Sequence, residues 1–283
     1  MINKGNILLS IFSFNRTHEL ETLLESIRFH NPGFDILLID DASTLPATHR
    51  IIAENQDLFK HVIKQPPCRK TTSRGRLPQN IQFAFEFADQ NHYDYVFFIQ
   101  DDMQFVRPLD ETVLSEYDKL FASDEKIIQV DPRFLRRLGE IRILPDLHAY
   151  SFCENDDRSS YADVGITHIQ RLKSINWTFE TRERTNKEKA HSLHLRRIFP
   201  FTPIFMHVPY PVMYRKGRVK LKFPSPFIAR GKIKFENMTP QEMKQMDERP
   251  LEIIPYARDL LRVEGLGLVK WHYLKANENN IYC

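Results

Sequence analysis

The sequence predicts an α/β fold with a mostly parallel central sheet flanked by helices. Two patterns carry this expectation. Short apolar runs of strand length alternate with stretches in which apolar residues recur at helical spacing, and the runs are apolar throughout, as in strands covered on both faces. A third observation concerns function: two of the runs end in aspartate pairs, Asp40-Asp41 and Asp101-Asp102, and paired carboxylates at the end of a buried strand are costly unless a metal ion or another cation meets them.

Asn6 to Phe12 forms the first strand, and Leu20, Leu23, Leu24 and Ile27 then lie on one helical face, with Glu19 in the first turn. Phe34 to Ile39 is the second strand, Ala47 to Phe59 a helix, and His61 to Lys64 a third strand that leads into a basic loop. After Pro78, Ile81, Ala84, Phe85 and Ala88 share a helix face before the fourth strand, Tyr95 to Gln100. A helix over Asp110 to Ala122 and a strand over Ile127 to Val130 follow. The spacing of Ile166, Ile169 and Leu172 predicts a helix from Asp163 to Ser174, and Trp177 and Phe179 a strand beyond it. The segment from Thr181 to Arg197 is strongly charged. Tyr214 to Phe223 alternates basic and apolar residues, and helices are expected within Pro240 to Asp247 and near Pro255 to Val263. Residues 1–180 therefore read as a core and 181–283 as an extension packed on it.

The chain has 283 residues and a formal charge of +3, enough length for one large α/β domain and too little charge to argue for nucleic-acid binding. Cys68, Cys153 and Cys283 are widely separated and lack metal-ligand spacing, which fits a reducing, cytoplasmic setting. No window is apolar enough to span a bilayer, so any membrane contact is expected to be peripheral.

Ligands of open α/β sheets bind beyond the carboxyl ends of the strands. There this chain places Ser13, Phe14 and Asn15, then Asp40 and Asp41, then Asp101 and Asp102. A carboxylate can accept a hydrogen bond from a pyrimidine N–H, an aromatic ring can stack on a base, and an aspartate pair can hold a divalent ion bridging a diphosphate. Asp40 and Asp41 could instead serve as a helix cap or turn. No glycine-rich phosphate loop follows any strand.

Phe12-Ser13-Phe14-Asn15-Arg16, Leu20 to Ile27, Ile39-Asp40-Asp41-Ala42-Ser43-Thr44, Arg76 with its helix, and Asp101-Asp102-Met103 together resemble the nucleotide-binding half of the family-2 glycosyltransferases. The likeness covers about residues 6–105, fades to about 180 and is absent beyond. It implies a GT-A-like fold, with a divergent C-terminal acceptor region, and a hexosyl- or pentosyltransferase. The implied reaction is metal-dependent transfer, inverting in outcome, from a nucleotide diphosphate sugar, UDP-sugar favoured, to a hydroxyl of a glycan or lipid-linked acceptor. By the resemblance, Phe12, Ser13, Phe14, Asn15, Asp41 and Asp101 contact the nucleotide, Arg76 the diphosphate, and Asp102 a Mn²⁺ or Mg²⁺ ion. Asp163 becomes the candidate general base, with Glu154, Asp156 and Asp157 as rivals, and His272 or His207 a further metal ligand. The family's usual Asp-any-Asp spelling is Asp101-Asp102-Met103 here.

The basic stretch from Tyr214 could be an edge hairpin, a surface for anionic lipid or a cradle for an acidic glycan. Two other functions remain open on sequence: a sugar-phosphate nucleotidyltransferase, disfavoured by the missing glycine-rich loop, and a non-catalytic binding protein for anionic glycan, lipid or nucleic acid.

Overall fold

The computed structural model describes residues 2–66, 76–136, 139–209, 211–212, 214–215, 218–219 and 232–264. Its first half follows the apolar periodicity closely. Strand β1 (Ile7–Ser13) is buried along its whole length and runs parallel to β2 (Asp35–Asp40) on one side and β4 (Tyr95–Gln100) on the other. β3 (His61–Lys64) pairs with the far edge of β2. The connecting helices are α1 (Thr17–His30), α2 (Pro46–Glu54) and α3 (Leu77–Gln90). Leu20, Leu23, Leu24 and Ile27 are the buried face of α1, and Ile81, Ala84, Phe85 and Ala88 that of α3.

Side chains alternate across the sheet. Leu9, Ile11, Leu38, Phe97 and Ile99 pack with α1 on one face, while Leu8, Phe12, Leu37, Ile39, Val96 and Phe98 pack with α3 on the other. Each such side chain contributes about 1.5–3 kcal/mol by leaving water. This double covering is why the strands read as continuous apolar runs.

Beyond Asp102 come β5 (Met103–Phe105), α4 (Glu111–Ser123) and β6 (Ile127–Val130). Asp110 caps α4 by accepting from the Val113 amide at 3.0 Å. Then β7 (Ile141–Leu144) and β8 (Ala149–Phe152) form an antiparallel pair.

The expected helix from Asp163 is corrected by the structure. Gly165–His168 is a strand, β9, and only Ile169–Ser174 is helical, as α5. β9 lies antiparallel between β4 and β6, with Ile166 opposite both Phe97 and Val130. Gly165 has φ +132°, and a Cβ there would meet the Val130 carbonyl oxygen at 3.0 Å, so the close strand approach requires glycine. Ile166 belongs to the strand while Ile169 and Leu172 belong to the helix, so their common spacing crosses a boundary. Trp177 and Phe179 do not form the expected strand; they pack with Tyr161 in an aromatic cluster of tilted and edge-on rings.

The charged segment forms α6 (Glu183–Ser192) and leads into β10 (Arg196–Pro200), which inserts between β6 and β8. Residues beyond 180 thus supply an interior strand of the main sheet as well as an outer layer. The nine-stranded order is β3-β2-β1-β4-β9-β6-β10-β8-β7, and only β9 and β8 run against the other strands.

β11 (Phe205–His207) pairs antiparallel with β5. Backbone pairing of Tyr214–Arg215 (β12) with Arg218–Val219 (β13) matches the expected hairpin. α7 (Pro240–Asp247), with a Thr239–Glu242 capping box, and α8 (Ala257–Leu260) fall where helices are expected. Met238, Met246 and Leu261 cover Val106, Phe134 and Met206, and Asp247 pairs with buried Arg107 at 2.7 Å, so this segment packs on the core. No helix among the described residues is long and apolar enough to cross a membrane.

Candidate active site

The chain leaves β1 toward β2 and returns from β3 to place β4 on β1's other side, so the strand order reverses between β1 and β4. Crevices form at such switch points. Register brings the strand ends level there, with Ser13 opposite Asp40 and Phe12 opposite Gln100.

Asp101 and Asp102 are 3% and 6% exposed. The cation that meets them in the structure is Arg16, whose Nη1 lies 2.9 Å from Asp101 Oδ1 and 2.8 Å from Asp102 Oδ2. Asp101 also accepts from the Phe14 amide at 2.8 Å. One guanidinium cannot fully neutralise two buried carboxylates. Burial, with the Asp102 charge beside it, pushes Asp101 up to about 7 despite Arg16, whereas Asp102 is held below its ordinary value and ionised, the Arg16 charge foremost among the causes that outweigh burial.

A small cavity of about 140 Å³ opens beside the pair, lined by Phe12, Ser13, Phe14, Asp41, Leu77, Asn80, Gln100 and Asp101 together with Arg16. It gathers most of the residues expected to contact a nucleotide. The two aspartates after β2 have separate tasks. Buried Asp40 accepts from the Ser43 hydroxyl at 2.5 Å and amide at 3.1 Å and shapes the turn. Asp41 faces the cavity and accepts from the Arg76 amide at 2.8 Å and Nε at 2.6 Å. Neither caps α2, whose N-cap is Leu45.

Arg76 therefore clamps Asp41, and it lines neither this cavity nor the larger one. Asn15 also sits apart from the cavity lining: at φ +53° its Oδ1 accepts from the Thr44 and Leu45 amides at 2.7 and 3.1 Å, fastening the first loop to the second.

Arg16 and Gln100 also border a second cavity of about 790 Å³, so the two spaces share a wall. Asp102, Asp163, Glu183, Lys187, Arg133 and His207 line the larger one. Asp163 precedes β9 and is 7% exposed. Burial and the nearby Glu183 charge push it up to about 7, against the opposing pull of Tyr161 and Lys187. Glu183 is itself held below its ordinary value, because Lys187 at 2.7 Å and Arg133 outweigh burial. One carboxyl is thus poised to exchange a proton near neutrality while its neighbour stays charged. Of the rivals, Asp156 is taken by Arg158, Glu154 pairs with Arg142 at the surface, and Asp157 lines the cavity.

The β5–β11 pairing sets His207 opposite Met103 and beside Asp102. His207 Nδ1 lies 3.4 Å from Asp102 Oδ1, a carboxylate oxygen buried without a hydrogen-bond partner, and Arg133 Nη1 lies 3.1 Å from Nε2. Burial and the Arg136 charge lower the imidazole to about 4, so it is neutral. A neutral imidazole and an unpartnered carboxylate oxygen fit one divalent ion. Among the described residues no group of three or more His, Cys, Asp or Glu could hold a metal. An ion here would complete its shell with water and ligand phosphates, as Mg²⁺ and Mn²⁺ do. His272 lies outside the described residues, as do Arg69, Lys70 and Arg74, the cationic residues of the basic loop expected after the third strand.

Sequence reasoning did not single out Arg16, Arg133, Glu183 or Lys187. Arg16 carried a signal, being part of the Phe12 to Arg16 motif; the others lie in stretches without periodicity.

No family profile and no curated protein matches the chain. Solved structures do. TarS of S. aureus matches with TM-score 0.50 and 15% identity, over 73% of this chain and 37% of TarS. Residues 1–349 of TarS in complex with UDP match with TM-score 0.49 and 13% identity, over 71% of this chain and 60% of that one. The mannosyltransferase PcManGT of Pyrobaculum calidifontis, solved with GDP-Man and Mn²⁺, matches with TM-score 0.45 and 14% identity, over 71% and 56%. The chain thus spans well under two thirds of each. The match at 0.50, with the sheet order above, shows the fold to be GT-A-like, a mixed α/β architecture with a large central sheet flanked by helices.

Proposed function

We propose that the protein is a glycosyltransferase that moves a sugar from a nucleotide diphosphate sugar, UDP-sugar favoured, to a hydroxyl of a glycan or lipid-linked acceptor with inversion. One observation carries the reading: a small pocket bearing Phe14, Asp41 and Asp101 opens through Arg16 and Gln100 onto a large cavity that holds both Asp102 and a carboxyl poised near neutrality. A donor needs two adjoining spaces of this kind, one for the nucleotide and one where its sugar meets an acceptor.

In this reading Asp41 accepts from the base, Phe14 packs on it and Asp101 holds the ribose. Asp102 and His207 would hold a Mn²⁺ or Mg²⁺ ion, which when bound neutralises charge on the diphosphate. Asp163, as carboxylate, takes the proton of the acceptor hydroxyl as that oxygen forms its bond to the anomeric carbon. The bond from that carbon to the diphosphate oxygen breaks, and its electron pair leaves with the nucleotide diphosphate. Lys187 keeps Glu183 ionised, and Glu183 keeps Asp163 basic enough to accept the proton.

Hydrolysis of a panel of UDP-, GDP- and dTDP-sugars with and without Mn²⁺ tests the reading, because it needs no knowledge of the acceptor. Metal-stimulated release of one nucleotide diphosphate supports it. Absence of both nucleotide-dependent thermal stabilisation and hydrolysis would overturn it.

A further inference from the structure

Arg16 does more than pair with the two aspartates. Its Nη1 bridges Asp101 Oδ1 at 2.9 Å and Asp102 Oδ2 at 2.8 Å, and its Nε donates to the Val212 carbonyl at 2.9 Å. Three residues later, in the first turn of α1, buried Glu19 accepts from the Val212 amide at 2.5 Å. The start of α1 thus holds both backbone polar groups of a residue nearly two hundred positions away. Pro211, beside Val212, lines the large cavity.

This fastening depends on what occupies the site. Arg16 borders both cavities, so a diphosphate lying between a nucleotide in the small one and its sugar in the large one meets this guanidinium. Guanidinium binds phosphate and carboxylate by the same planar fork, and with Nη1 on Asp101 and Asp102 and Nε on Val212 a two-point grip on a diphosphate, through Nη2 and either neighbouring nitrogen, displaces one of those contacts. A divalent cation on Asp102 competes with Arg16 for the same carboxylate.

We propose that Arg16 is a donor-responsive clasp. In the donor-free protein it fills the place of a cation between Asp101 and Asp102 and ties Val212 to the site; when a nucleotide diphosphate loads, the guanidinium turns to the diphosphate oxygens and Val212 is released. The proposal rests on the reading of the site as one for a nucleotide diphosphate sugar. It makes Arg16 a positioning residue that couples the filling of one cavity to a wall of the other.

Two readouts independent of turnover test it. The first is Mn²⁺ binding to nucleotide-free protein by titration calorimetry. Arg16→Gln removes the resident cation, so Mn²⁺ alone binds about tenfold tighter than to the wild type, whereas loss of a merely structural arginine leaves affinity unchanged or weaker. The second is hydrogen exchange at the Val212 amide. In the wild type, UDP or GDP with Mn²⁺ accelerates it by about tenfold; in Arg16→Gln it is already fast and does not respond. Arg16→Lys keeps the charge but not the fork, giving Mn²⁺ affinity near the wild type with fast Val212 exchange.

Mn²⁺ binding to Arg16→Gln no tighter than to the wild type, or Val212 exchange unmoved by a nucleotide that demonstrably binds, overturns the clasp. If no nucleoside diphosphate binds the wild type, the underlying functional reading fails instead. Should Arg16→Gln lack a melting transition, the wild-type exchange measurement decides alone.

Discussion

The small cavity and the large one meet at Arg16 but are built differently. Around the small cavity, residues 7–105 form successive strand–helix units in which β2, β3 and β4 each join a strand already placed. Around the large cavity the wall comes from loops and strands that return from far along the chain: Arg133 after β6, Asp163 before β9, Glu183 at the start of α6 and His207 in β11. The first region builds its cavity by local chain order. The second builds its cavity by long-range packing, and so its lining can vary without disturbing the sheet that borders the small cavity.

Substitutions on the two sides should separate these contributions. Asp102→Ala is expected to have the largest effect, lowering metal-stimulated donor hydrolysis by about a thousandfold or more while the melting transition persists; near-normal turnover would remove Asp102 from the site. Asp163→Asn comes next, with transfer reduced by about 10²–10⁴-fold and UDP affinity, measured by calorimetry, unchanged. The wild-type pH profile carries the same information. A base must be deprotonated to act, and Asp163 is held at about 7, so kcat/KM should rise as pH increases through about 7 and level off above it. That acid limb should vanish in Asp163→Asn.

Gly165→Ala probes the long-range packing. With φ +132° and the Val130 carbonyl oxygen 3.0 Å from an added Cβ, it should cost about 2 kcal/mol in urea unfolding, and nucleotide affinity should follow only through the loss of folded protein. Glu183→Gln is the gentlest change. It removes a negative charge that raises Asp163, so the acid limb should shift to lower pH with little change in the plateau; a limb that stays in place would detach Glu183 from Asp163.

What could be read from the sequence divides along the same line. β1, α1, β2, α3 and β4 are doubly covered strands or single-faced helices, and their periodicity marks them with their ends nearly right. The aspartates at the ends of β2 and β4 follow from those ends. Gly165–His168 is open to misreading because a strand of four residues, three of them buried and His168 half-buried, followed directly by a helix, leaves no period of its own. The resemblance implies Arg76 near a diphosphate, and in the structure its partner is Asp41, a contact between the N-terminal end of α3 and the residue after β2 that no spacing along the chain records. Glu183 and Arg133 gain their meaning only once α6 and β10 fold against β6, which no spacing along the chain records.

The position of β9 also bears on how the chain is made. Until residues 165–168 emerge, β4 is an unpaired edge bearing Tyr95-Val96-Phe97-Phe98-Ile99, an aromatic, uncharged run of the kind that recruits strands from other molecules. A nascent chain, or a product truncated before residue 165, would carry the motifs at the ends of β1, β2 and β4 intact and still be prone to aggregate. A minimal soluble unit should therefore extend past β9, and because β10 covers β6 in turn, to at least residue 200.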